Sequence, residues 1–579
     1  MGPIEARIDA LRGAFVADGF AVADEGIVRF RDRVGIKALH RTATNYDSGV
    51  PKAAYYVEGT PFEMGFLLGR LAEPEIDRMT ETFIDRVFGA MIREAIHGER
   101  LDFLGSQGPK VLRIHGLLIG LVREMVRRRG VQADVPGRFH REIRGILAGC
   151  RETARLEDRS TSVTEEELWV LNAGLDCVLS RSYTGVLLPA PIRPEDLWLP
   201  IACNGFAILN EAAADGALFG RDYMFPTGGI FHEVAGHVIY NPVSEDDVPS
   251  LPFVSMTAPG IVGSIAAMNA DGVAAGVNVA VGANCTPRRP GCNSLLLVRE
   301  SVERGPTASE AVERILETRR GVTWNYVVVE ADDTQDRACV VEAGASIRRT
   351  PFDEYPAERL RPLLPNRAFL EAHRSVEETR GAMVRWDTFR LPDAFLAFNP
   401  PLWEREQKTL PGDAFESRGR INRTPSEKNC PGAFYFAPPR GLPGRVLLAT
   451  NHFVIPEMRL CSMHPWASRV SRARLDDSQW RYDELNRRIL LAIDEHGSID
   501  RATAKELLSF LAPDGDYPDY YRLNPRSRDG EQTLILGSTS LFDLKARSVE
   551  SRYGYYADPW VGIHLANYVG DAPAPSPPA

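Results

Sequence analysis

Cys203 opens the run Asn204-Gly205-Phe206-Ala207-Ile208, and after Asp215-Gly216 the chain continues Ala217-Leu218-Phe219-Gly220-Arg221-Asp222. This pattern predicts two short apolar strands, Cys203–Leu209 and Ala217–Gly220, joined by a turn on Asp-Gly. Such a hairpin returns the Arg221-Asp222 pair to the neighbourhood of Cys203. A thiol beside fixed charges is the arrangement that lowers a cysteine pKa and makes a nucleophile. The plain alternative is a buried structural cysteine.

Other chemistry is weaker. His232 and His237 frame Glu233-Val234-Ala235-Gly236. A zinc-protease pair needs histidines four apart on one helical face. Five apart they point about 140° away from each other, so no metal site is assigned. Cys285 and Cys292 lie close together but lack the second pair that zinc spacing needs. No phosphate-binding or dinucleotide glycine loop and no Gly-x-Ser-x-Gly elbow is present. No cofactor is expected.

The elements that must position Cys203 read as follows. Residues 1–202 look largely helical after a short-strand region, with apolar residues at helical spacing over Ile92–Ile119, Arg138–Leu156 and Glu165–Leu179. Thr164 is a plausible N-cap for the last, followed by an acidic first turn. From Cys203 to about residue 570 the texture changes to short β-branched strands with Gly, Asn and Asp turns. Helices are predicted there over Ala308–Arg319 and Tyr482–Ala492. Residues 351–440 are Pro-rich and read as an insertion, either a wall of the substrate site or surface decoration. Residues 571–579 have the composition of a disordered tail.

In order along the chain come Gly59-Thr60-Pro61-Phe62-Glu63-Met64-Gly65, the Cys203 hairpin, Gly260-Ile261-Val262-Gly263-Ser264, Val273–Asn278, Val446–Phe453 (containing Thr450-Asn451-His452) and Ser478-Gln479-Trp480-Arg481-Tyr482. This ordered set resembles the Ntn-hydrolase superfamily, and within it the isopenicillin-N acyltransferase branch, with the bile-salt and penicillin V amidases as cousins. The resemblance implies an α+β fold, a four-layer αββα sandwich preceded by the helical segment. It implies self-cleavage between Ala202 and Cys203 into fragments of 202 and 377 residues that stay associated. Cys203 would then attack an amide through its thiol, with its freed α-amine as base. Asn278 matches the oxyanion-hole asparagine and Asn451 the second asparagine of the motif. Arg481, with Ser478, would orient the amine and its carboxylate partner. Turn capping by the two asparagines and a surface position for Arg481 remain open. The family pattern Gly-Arg-Asn-x-Asp is broken here: Met224 stands at the aspartate position. Asp222, on the same strand face two residues earlier, is the expected substitute carboxylate, beside Arg221.

The implied substrate is a small non-peptide amide, with an acyl donor such as acyl-CoA in the acyltransferase case. Two rivals are a phospholipase-B-like lipid amidase or esterase, and a non-catalytic module that keeps the fold. A net charge of −10 argues against nucleic acid as a partner. The basic run Arg123–Arg129 reads as a solvated helix face. No run reaches the ~18 apolar residues of a membrane span. The start of the sequence has no secretory pattern, and eight cysteines in 579 residues are sparse. Both point to a cytoplasmic setting.

Overall fold

A computed structural model describes residues 2–83, 120, 123–124, 131–184, 203–224, 230–280, 282, 285–286, 289–346, 381–390, 440–455, 458, 465–509 and 534–569. Ala202, the 571–579 tail and the expected helix over 92–119 lie outside the described residues.

Two sheets organise the described residues. The larger has eleven strands. Its path runs through β1 (Phe20–Ala21), β3 (Arg33–Thr44), β4 (Pro51–Gly59), β7 (Gly236–Pro242), β8 (Phe253–Thr257), β9 (Ala266–Asn269), β10 (Val273–Val279), β11 (Trp324–Glu330), β12 (Arg337–Ala343) and β13 (Ala382–Trp386), with β2 (Ile27–Phe30) beside β3. The smaller has six, ordered β14 (Val446–Ala449), β5 (Asn204–Ile208), β6 (Leu218–Tyr223), β15 (Leu534–Asp543), β16 (Ser548–Tyr555), β17 (Val561–His564). The expected hairpin is β5–β6, and Gly216 in its turn has φ +123°, a conformation open to glycine.

Alternate residues of one strand serve different cores, as a pleat requires. Trp324, Tyr326 and Val328 of β11 pack with the helices, in a cluster that includes Leu67, Ile143, Trp169 and Leu296. Val327 and Val329 face the other way, toward Ala207, Phe219 and Phe542 of the small sheet. The far side of the small sheet offers Phe206, Ile208 and Leu448 to Tyr482, Leu485, Ile489 and Leu507. Strands covered on both faces read as unbroken apolar runs, which is why β10 and β11 lack alternation.

The N-terminal segment differs from the expectation. It is not a helical piece set before the core, because β3 and β4 belong to the large sheet and β4 pairs in parallel with β7. That partner lies some 180 residues downstream, and no local pattern announces such a pairing. The first element is also a helix, α1 (Pro3–Ala17), rather than a strand. Within the Pro-rich 351–440 stretch, the described part includes β13, which extends the large sheet beside β12. The rest of that stretch, save residues around it at 381–390 and 440, lies outside the described residues.

The Thr60–Gly65 motif has a packing explanation. Thr60 caps α2 (Pro61–Leu71) in a capping box with Glu63, whose Oε2 accepts from the Thr60 N–H at 2.9 Å. Gly65 and Gly69 of α2 then face Gly145 and Gly149 of a helix spanning Gly137–Leu156. A Cβ on any of the four would fall far inside van der Waals contact with a carbonyl oxygen of the opposite helix, those of Glu142, Ile146, Phe62 and Phe66. Backbone meets backbone here, so nothing can rotate away. Gly69→Ala would favour an isolated helix by ~1 kcal/mol, yet overpacking should leave the protein about 2–3 kcal/mol less stable. Urea unfolding checks this; a midpoint at or above that of the parent would contradict the packing account.

No helix among the described residues is long and apolar enough to cross a membrane.

Candidate active site

Cys203 precedes the first residue of β5 and is fully buried. Its backbone is gripped at both polar atoms. The N–H donates to Asn451 Oδ1 at 2.9 Å. The C=O accepts from Arg481 Nη1 at 2.8 Å. The Sγ lies 3.9 Å from the Met224 carbonyl oxygen.

The three residues reach one another because of strand order. β14 pairs with β5, Ala449 opposite Gly205, so the chain beyond β14 runs past Cys203 and delivers Asn451. A long helix, Pro465–His496, covers the small sheet and lowers Arg481 onto the same point. Ser478 and Arg481 are three apart and therefore share a helix face. Arg481 also donates from Nη1 to Asn204 Oδ1 and from Nη2 to Asn451 Oδ1, both at 2.8 Å. One guanidinium thus binds three acceptors from two nitrogens of its planar fork, an arrangement that the compact point charge of an ammonium does not match. Asn451 is pinned on its other sides: Nδ2 donates to Val279 O at 2.7 Å, and its N–H donates to Ser478 Oγ at 2.9 Å.

Asn278 is on β10, buried, with Nδ2 donating to Ala449 O at 3.1 Å and Oδ1 without a hydrogen-bond partner among the described residues. Arg221 reaches the same strand, donating to Val277 O, and also to the carbonyls of Asp222 and Asn204. All seven expected residues from Cys203 to Arg481 therefore fall in one buried neighbourhood. Arg221 holds backbone carbonyls instead of a carboxylate. The cleavage residue Ala202 lies outside the described residues.

Asp222 behaves differently from the expectation in one respect. It stands opposite Asn204 across the hairpin and accepts from Asn204 Nδ2 at 2.9 Å. Its hydrogen-bonded link to Arg481 thus runs through the Asn204 amide, whose Oδ1 takes the guanidinium. Burial pushes the Asp222 carboxyl up to about 7, against the opposing pull of Asn204, Arg221, Arg481 and Arg552. The folded pKa is higher than the unfolded value of ~4, so the native state keeps a proton that the unfolded chain releases in between. The contribution to stability is therefore greatest below that window and is lost as pH rises through it. Asp222→Asn should flatten the fall in melting temperature between pH ~4 and ~7. It should not abolish it, because Asp176, also buried, is pushed up to about 7. Thermal melts across that range test this; parallel curves for variant and parent would contradict it.

Three residues that shape the site were not singled out from sequence. Asn325 of β11 donates to Thr450 O at 3.0 Å and to His452 O at 2.9 Å. Glu342 of β12 accepts from the N–H groups of Val454 and Ile455, and from Arg385. His452 contacts Ser478 Oγ through Nδ1 at 2.7 Å. The signal for Asn325 and Glu342 was a polar residue at the end of an apolar strand run. His232 and His237 lie on separate elements, a one-turn helix (Phe231–Val234) and β7, with His237 Nε2 3.0 Å from Ser551 Oγ.

No protein-family profile matches the chain. A sequence relative from Archaeoglobus fulgidus, described as an uncharacterized protein, is 28% identical over 533 residues, covering 92% of this chain and 68% of its own length. Among solved structures, the chain is similar to an N-acylethanolamine-hydrolyzing acid amidase ortholog from Caenorhabditis elegans, with 14% identity and a TM-score of 0.19. That match covers 24% of this chain and 59% of the nematode chain, less than two thirds of it. Mutant and variant forms of a conjugated bile acid hydrolase from Clostridium perfringens are similar at 13% identity, covering 62% and 63% of this chain and 92% of theirs, with TM-scores of 0.28 and 0.26.

Proposed function

We propose that the chain is an Ntn-type amidohydrolase or N-acyltransferase whose nucleophile is the thiol of Cys203, freed as an N-terminal residue by self-cleavage after Ala202. The observation that carries this reading is the double grip on the Cys203 main chain, N–H by Asn451 and C=O by Arg481. Any buried main chain needs partners; here both are side chains, from the two residues that the resemblance implies for the site. The succession of helices, large sheet, small sheet and helices supports a four-layer αββα sandwich as the frame.

In processing, the thiol attacks the Ala202 carbonyl carbon and its proton passes to the departing Cys203 nitrogen as the C–N bond breaks. Water then hydrolyses the thioester, leaving an Ala202 carboxylate, a free thiol and a free α-amine. In turnover that amine takes the thiol proton, the sulfur attacks the substrate amide, and the proton moves to the leaving amine. Water or an acceptor amine resolves the acyl-thioester, and an acyl donor such as acyl-CoA would enter at the same intermediate. Asn451 Oδ1 orients the amine, and the adjacent Arg481 cation favours its neutral, basic form. Asn278, with one N–H already on Ala449 O, can turn the other toward the developing oxyanion.

Association of the two fragments is supported by the β4–β7 pairing and by the buried contacts of Arg299 with Glu142, which join one fragment to the other. The buried cysteines at Cys150, Cys203, Cys292 and Cys339, which form no disulfide among the described residues, fit a reducing, cytoplasmic setting.

Incubation with a panel of N-acyl amides, followed by peptide mass mapping, tests the reading. An acyl adduct on the peptide that begins at Cys203 supports it, and an adduct on another residue overturns it.

A further inference from the structure

We propose that His452, acting through the Ser478 hydroxyl, is a positioning residue that fixes Asn451 and thereby the Cys203 nitrogen; this rests on the reading of Cys203 as the nucleophile. The links are continuous. Cys203 N–H donates to Asn451 Oδ1 at 2.9 Å, Asn451 N–H donates to Ser478 Oγ at 2.9 Å, and Ser478 Oγ lies 2.7 Å from His452 Nδ1. Because Ser478 Oγ accepts from Asn451, its own hydrogen must leave in another direction. Two acceptors are in reach, His452 Nδ1 at 2.7 Å and Thr450 Oγ1 at 3.0 Å. Thr450 Oγ1 itself lies 3.1 Å from Nδ1, so the proposal places the Ser478 hydrogen on the nearer imidazole nitrogen and the ring's own hydrogen on Nε2.

A hydroxyl that donates to an imidazole nitrogen is polarised and accepts more strongly, so the Asn451 N–H is held more firmly. The His452 ring is itself fixed. It is buried, it meets the Tyr482 ring edge-on at 5.3 Å, and its carbonyl is bound by Asn325. Ser478 and His452 form the pair found in serine nucleophiles, yet the serine oxygen is taken by the Asn451 N–H. The pair therefore serves orientation.

The test follows cleavage of freshly synthesised full-length chain by intact mass. His452→Phe should slow it about 30-fold or more, while His452→Asn, which keeps an acceptor near the Nδ1 position, should stay within about threefold of the parent. Ser478→Ala should slow cleavage comparably. Because both act through one link, the double variant His452→Phe/Ser478→Ala should be no more than about threefold slower than the slower single. Multiplying effects, or His452→Phe at the parental rate, would overturn the proposal.

If the parent chain does not cleave before Cys203, the functional reading fails on its own, and nitrogen NMR of histidine-labelled protein decides the positioning claim. A bare Nδ1 and protonated Nε2 at His452, disturbed by Ser478→Ala, would support it. A hydrogen on Nδ1 would overturn it.

Discussion

Arg481→Ala should slow both self-cleavage and amide turnover by about a thousandfold, an effect of ~4 kcal/mol. The guanidinium makes charge-assisted bonds to Cys203 O, Asn204 Oδ1 and Asn451 Oδ1. Bonds of this kind contribute ~1.5–3 kcal/mol each, and their loss strands buried acceptors that water cannot reach. The Asn451 side chain would also lose the partner that sets its Oδ1 toward the Cys203 nitrogen. Arg481→Lys should not restore function, since a single ammonium nitrogen cannot reproduce the spread of donors from two nitrogens of a planar fork. Rates of cleavage and turnover for both variants decide this. A lysine variant within about tenfold of the parent would show that charge alone suffices and that the fork geometry is irrelevant.

Asn278→Ala should lower turnover about a hundredfold while leaving substrate affinity nearly unchanged. Removal of a single oxyanion donor costs ~3 kcal/mol in the transition state and little in the ground state. The position supports the role: β10 carries Asn278 on the buried end of a strand whose carbonyl neighbours, Val277 and Val279, accept from Arg221 and Asn451. Because the Asn278 amide already holds Ala449 O, the variant should also lose some stability, so a melt must accompany the kinetics. A rise in KM with kcat intact would assign Asn278 to substrate binding; full activity would remove it from the site.

The hairpin at Cys203 was legible because its determinants are local: an apolar run, Asp-Gly, and a second apolar run. The pairing of Ser478 with Arg481 came from the resemblance, because the helix expected over Tyr482–Ala492 starts earlier, at Pro465, and carries both residues. The roles of Asn451 and Asn278 came from resemblance, since nothing in a lone asparagine separates a turn cap from a donor in a site. What stayed hidden was the non-local part. Asn325 acts on residues 125 and 127 positions away, and Glu342 on residues more than a hundred away. The role of Asn204, a bridge between Asp222 and Arg481, depends on a cross-strand register that sequence does not print. The β4–β7 pairing was hidden for the same reason, and with it the participation of the first sixty residues in the large sheet.

The central claim is that Cys203 becomes an N-terminus. Intact-mass analysis of the purified protein, with N-terminal sequencing of its fragments, tests this most directly. The account predicts two chains of 202 and 377 residues, the second beginning Cys203-Asn204-Gly205, and a single uncut chain for Cys203→Ala. An uncut parent chain, or a fragment that starts at any other residue, would contradict it.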